Sequence, residues 1–128
     1  MSITYERDDS RRLITVTVTE PYTVDEILGA IDRQAAEHTW GYALLYQLSA
    51  VTRMPTEGDA RQCADRIKAV GGGRACGPAG LMVGPQPEQY RWGLMYTALT
   101  RTLENCDVLV TAAQLVEWLA RHAPRRTS

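Results

Sequence analysis

Two histidines, His38 and His122, and three cysteines, Cys63, Cys76 and Cys106, are the residues of this chain best suited to hold a metal or attack a substrate. A zinc site takes several imidazole or thiolate ligands, which in sequence usually come in close pairs such as C-x-x-C. No such pair exists here, and neither histidine belongs to a close Cys/His cluster; no metal or other cofactor is expected. A catalytic thiol needs a base or a fixed positive charge to hold it as thiolate. Cys63 falls within an apolar helical stripe. Cys76, between Arg74 and Gly77, reads as a packed or neutral strand-end thiol, because no neighbour supplies a base. The acid pairs Asp59 with Asp65 and Asp25 with Asp32 lie on amphipathic helices, where most carboxylates form the wet face. Enzyme activity therefore ranks behind binding, although catalytic groups can converge from distant positions.

Glycine-rich stretches suggest phosphate chemistry only where they join a strand to a helix. The run Gly71 to Gly73 follows a helix and lacks the lysine and hydroxyl of a P-loop, so helix termination is the simpler reading. Gly84-Pro85-Gln86-Pro87 is better placed, between a strand and a helix. Amides at that helix start, around Gly84 and Gln86, are an alternative site for an anion or small molecule, although the two prolines remove donors.

Among the aromatic residues, Trp92 and Tyr96 are four apart on one helix, partly offset from Leu94, Met95 and Ala98, and Trp118 lies off the main stripe of the last helix. Such rings either cover the sheet within the monomer or form a contact patch.

The elements that position these residues follow from periodicity. Ile3–Tyr5 and Leu13–Val18 read as two strands of a hairpin, the second alternating branched apolar residues with threonine. Thr23 is placed to cap a helix running to His38, with Glu26 completing a capping box. Tyr42–Leu48 is an apolar strand. Thr56 begins a second helix with the stripe Ala60, Cys63, Ala64, Ile67 and Val70. Cys76–Val83 is a strand, irregular around Pro78, and Pro87–Arg101 a helix with Tyr90, Leu94, Met95, Ala98 and Leu99 toward the core. Cys106–Val110 and Ala112–His122 complete the chain, the last helix packing through Leu115, Val116, Leu119 and Ala120. The order β-β-α-β-α-β-α-β-α predicts an α/β fold with a mixed five-stranded sheet and four helices.

At 128 residues the chain fits one domain over its whole length. Its 14 basic residues nearly balance 15 acidic ones, which gives little general attraction for a nucleic acid. Arg121, Arg125 and Arg126 read as a solvated tail. No stretch approaches the roughly 18 consecutive apolar residues of a membrane span, and MSITYERDDSRR lacks the apolar core of a secretory signal. A cytoplasmic location, without membrane contact, is the expectation, and the odd, scattered cysteines fit it.

The threonine-rich second strand, LLYQLSAVTRMPTEGDA from Leu44 to Ala60, and YRWGLMYTAL from Tyr90 to Leu99 together resemble the small bacterial SpoIIAA-like, or STAS-like, α/β proteins. The likeness spans Ile3 to Ala120, and the second segment looks like a Y-x-x-G-x-M-[YF] helix pattern of an uncharacterised branch. In signalling members the segment after the central strand resembles D-x-S-G-V-x-x-x-D-S-x-G. Here the equivalent stretch runs from Gln47 to Gly58, with Pro55 at the aspartate-like position, Thr56 at the first serine-like position and Glu57 at the position usually phosphorylated. Glutamate cannot be phosphorylated by a serine kinase, so the resemblance implies the fold more strongly than the switch.

The leading expectation is a noncatalytic protein-interaction or regulatory domain that binds a protein partner or itself. Its contact residues would be Ser49, Arg53, Thr56 and Glu57, with Trp92 and Tyr96 as a second patch. The alternative is a small-ligand domain using the Gly84–Pro87 turn.

Overall fold

The computed structural model describes residues 2–74, 76–103 and 105–124. Strands β1 (Ile3–Asp8) and β2 (Leu13–Val18) are followed by α1 (Val24–Ala36), β3 (Ala43–Gln47), α2 (Glu57–Gly71), β4 (Ala79–Met82), α3 (Pro87–Leu99), β5 (Cys106–Leu109) and α4 (Ala112–His122). The strands lie in the order β1-β2-β3-β4-β5, with β1 antiparallel to β2 and every other neighbour parallel. The expected mixed five-stranded α/β architecture is present.

Local chemistry accounts for the element ends. In the β1–β2 turn the Asp8 carboxylate accepts from the Ser10 hydroxyl at 2.7 Å and from the Arg11 amide at 3.2 Å. Thr23 and Thr56 each accept from the amide three residues on, while Glu26 and Asp59 reach back to the cap amides, so α1 and α2 both start on capping boxes. At the far end of α2, Gly72 takes a left-handed φ of 56°, which a glycine adopts without Cβ strain.

Alternation along the strands sorts side chains into two layers. Ile14, Val16, Val18, Leu44, Tyr46 and Leu81 share one core with residues of α1, α2 and α3. That placement is what right-handed crossovers between successive parallel strands produce when each new strand is added on the same side. Leu13, Ala43, Leu45 and Leu109 face the other way, onto Trp118 of α4. Opposite Trp118 stands Gly80, where a Cβ would come within 3.0 Å of the indole; a glycine in β4 makes room for the largest side chain of α4.

Three sequence expectations are corrected. β4 begins at Ala79, not Cys76: Pro78 lacks an amide, and a Cβ at Gly77 would lie 2.2 Å from the Tyr42 carbonyl oxygen, so this segment packs tightly against the backbone just before β3, with the Gly77 amide donating to the Trp40 carbonyl at 3.1 Å. α3 buries Gln89, Gly93 and Tyr96, whereas Tyr90 and Leu94 remain 44% and 46% exposed. Close approach sets that rotation, since a Cβ at Gly93 would meet Val108 of β5 at 2.9 Å. On α4, Trp118 is the buried residue, and Val116 is 66% exposed.

The other end of β1 is tied to α1 by its side chains. Arg33 lies over the Tyr5 ring at 4.1 Å, and the Tyr5 hydroxyl donates to Glu37 at 3.0 Å. Desolvation, then the hydrogen bond to Glu37, pushes the Tyr5 hydroxyl up to about 12.

Candidate functional site

Beyond the carboxyl end of β3 the chain crosses the top of the sheet before entering α2. Leu48 and Val51 turn inward and are buried, which fixes the apolar side of the crossing. Its polar backbone is then satisfied by other elements. The Glu20 carboxylate, at the end of β2, accepts from the amide and the hydroxyl of Thr52, the latter at 2.8 Å, and from the Arg53 amide at 3.2 Å. The Tyr22 hydroxyl donates to the Arg53 carbonyl at 2.6 Å. From α3, Gln89 Nε2 donates to the Val51 carbonyl at 2.6 Å and Trp92 Nε1 to the Pro55 carbonyl at 2.8 Å. Thr56 then caps α2, its hydroxyl accepting from the Asp59 amide at 3.0 Å.

Charge in this region follows the hydrogen bonds. Three donors hold the Glu20 carboxyl below the usual glutamate range, the Thr52 amide first among them. Burial, with Asp59 and Glu20 nearby, raises the Tyr22 hydroxyl to about 12. Between these elements lies an open depression of about 580 Å³, lined by residues that include Glu20, Tyr22, Arg53, Met54 and Asp59.

The residues singled out in the sequence fall into three groups. Ser49, Arg53, Thr56 and Glu57 are exposed along this crossing and the first turn of α2. The Ser49 hydroxyl donates to Gln47 at 2.7 Å, and Glu57 pairs with Arg61 at 3.4 Å on the surface of α2. Trp92 and Tyr96 stack at 5.3 Å between ring centroids, but Tyr96 is only 4% exposed and Trp92 is half-buried. They roof the core rather than form a second surface patch, because the Gly93 contact turns this side of α3 inward. The outward aromatic of this helix is Tyr90.

Gly84 and Gln86 belong to a filled junction. Gly84 is buried, and a Cβ there would lie 2.4 Å from Gln89 Oε1. That same oxygen accepts from the Gln86 amide at 2.9 Å, and Pro87 at the helix start has no amide to offer. The Gln89 carboxamide thus takes the place an anion was expected to occupy. Glu20, Tyr22 and Gln89 were not identified from the sequence. Gln89 alone carried a local signal, a glutamine three residues after the cap position Gln86, and Glu20 and Tyr22 act across more than 30 residues.

Elsewhere, Asp32 pairs with Arg66 across α1 and α2 at 2.5 Å, and Arg121 with Glu117 at 2.9 Å. Arg125 and Arg126 lie outside the described residues. Among the described residues no group of three or more His, Cys, Asp or Glu side chains is arranged to hold a metal ion, and no helix is long and apolar enough to cross a membrane.

These features define a three-layer α/β domain whose strands are added in sequence order, with a pinned crossing over the carboxyl ends of β2 and β3. No family model, curated protein or solved structure matches the chain.

Proposed function

We propose that this chain is a noncatalytic protein-interaction or regulatory domain of the SpoIIAA-like kind, contacting a protein partner or a second copy of itself through the crossing from Ser49 to Gly58. One observation carries the reading. The backbone of this segment is held from within by Glu20, Tyr22, Gln89 and Trp92, while Ser49, Arg53, Thr56 and Glu57 stay exposed. A segment already fixed in one conformation loses less entropy on association, so affinity comes from few contacts. Arg53 and Glu57 supply opposite charges that orient a partner, and the half-buried Met54 and Pro55 supply apolar surface between them. The resemblance of Gln47–Gly58 to the signalling segment of STAS-like proteins supports the same surface.

The test is quantitative mass spectrometry of proteins retained by the tagged chain in lysate of its native cells, for wild type and an Arg53→Ala/Glu57→Ala double variant. Light scattering on both purified proteins reports self-association. A stoichiometric partner, or a dimer, lost from a variant with unchanged circular dichroism supports the reading. Equal recovery with both proteins, or no partner and a monomer in both cases, overturns it.

A further inference from the structure

Beneath the pinned crossing, a cavity of about 30 Å³ opens between the carboxyl ends of β2, β3 and β4, marked by Val18, Leu48 and Leu81, and residues of α2 and α3. Cys63, Tyr46 and Tyr96 line it from within the core, and the half-buried Trp92 and Pro55 complete it. By the same measure one water needs about 10–15 Å³, so the space admits a guest of a few heavy atoms.

Elsewhere in the same core the gap beside Trp40, Leu44 and Ile67 is about 10 Å³, a third of this one. Close by, Gly93 against Val108 leaves only 2.9 Å for an added Cβ. An apolar void forfeits dispersion contacts that a native interior normally makes, and this one sits where α/β folds commonly place ligands. We infer that the cavity is a binding site for a small, neutral, apolar molecule, entered past Trp92 when its hydrogen bond to the Pro55 carbonyl opens. A charged guest is disfavoured, because an ion stripped of water here meets walls that are mostly aliphatic and aromatic and carry no charged side chain. Pro55 also borders the outer depression, which gives the guest a short path from solvent. The cavity shares Pro55 with the protein contact surface, but its other lining residues lie inside the core, and the inference stands whether or not a partner binds there.

Xenon is the probe, with methyl resonances followed by NMR under increasing gas pressure. The expected result is a saturable shift of the Val18, Leu48 and Leu81 methyls, with Leu13 and Leu45 on the opposite sheet face unmoved. Acetate at equal concentration leaves all of them in place. Cys63→Met, which fills the space from its wall, removes the xenon shifts while the chain stays folded; Ala60→Val serves the same purpose should the methionine prevent folding. Trp92→Phe leaves a smaller aromatic ring and removes the indole donor to Pro55, and speeds xenon exchange several-fold. Unmoved methyls in the wild type overturn the inference, as do xenon shifts that persist undiminished in a folded filling variant.

Discussion

Glu20 and Thr52, at the ends of two neighbouring strands, meet through one carboxylate oxygen that takes both the amide and the hydroxyl of the threonine. The pairing joins the segment after β2 to the crossing after β3, beyond the end of the parallel ladder that the two strands form between themselves.

Protonation of Glu20 removes the charge that these donors face. Its carboxyl is held below the ordinary range in the folded chain, so the stabilisation is present above the unfolded pKa of about 4.3. It is lost as pH falls through the lower folded value. In an NMR titration the Thr52 and Arg53 amides should shift together with a midpoint below that ordinary value. Glu20→Gln should accelerate hydrogen exchange at both amides at neutral pH while leaving the β3 amides protected.

The Gln89 carboxamide joins the Val51 carbonyl to the Gln86 amide in a buried setting. Gln89→Ala strands both groups, at a cost of about 1–3 kcal/mol, measurable by urea denaturation. Gly84→Ala forces a Cβ against the same side chain and should destabilise in the same direction. The double variant should lose less than the sum, since the clash disappears with the glutamine.

Much of the architecture was legible because it is written locally. Thr23 with Glu26, Thr56 at the start of α2, the Gly71–Gly73 stop and the alternation of Leu13–Val18 each depend on residues a few positions apart, and each is found where it was expected. Met95, Leu99, Leu115 and Leu119 do pack against the cores, but Tyr90, Leu94 and Val116 were wrongly placed on the inward faces of α3 and α4, for the opposite reason. Gly93 and Gly80 determine those faces by what they allow to approach, and the approaching partners, Val108 and Trp118, are distant in sequence. Of the site, the exposed residues could be named, but not what pins them, because Glu20 and Tyr22 act through contacts that no spacing encodes.

Tyr5 offers a spectroscopic check on the β1–α1 clamp. Its hydroxyl, raised to about 12 by burial and by Glu37, remains protonated in the folded chain above the ordinary tyrosine value. Any stability linked to it is complete below pH 10 and declines as pH climbs through about 12. Ultraviolet titration of Tyr5→Phe would show fewer tyrosinates than wild type near pH 10.5 if Tyr5 titrated freely; unchanged absorbance there is the expected outcome. The same substitution should cost about 1 kcal/mol through the lost hydrogen bond.

Trp118→Ala should be the most damaging change on the second face of the sheet, at about 3–5 kcal/mol by thermal or chemical denaturation. Gly80→Val, which presses on the same ring from β4, should also destabilise, and by crowding rather than by a void. Pressure perturbation separates the two, as the first variant gains internal volume and the second does not.

Strand order and sequence order coincide in this sheet, so a chain emerging from its amino end can add each strand to the one before it. The last helix breaks that progression. Trp118 returns to cover Leu13 and Ala43, and Arg11 Nε donates to the Ala123 carbonyl at 2.9 Å across 112 positions. Until α4 has been synthesised, one face of the early hairpin and of β3 lacks its covering layer. That face stays open as exposed apolar surface for as long as synthesis takes to reach α4, and the arrival of α4 closes it.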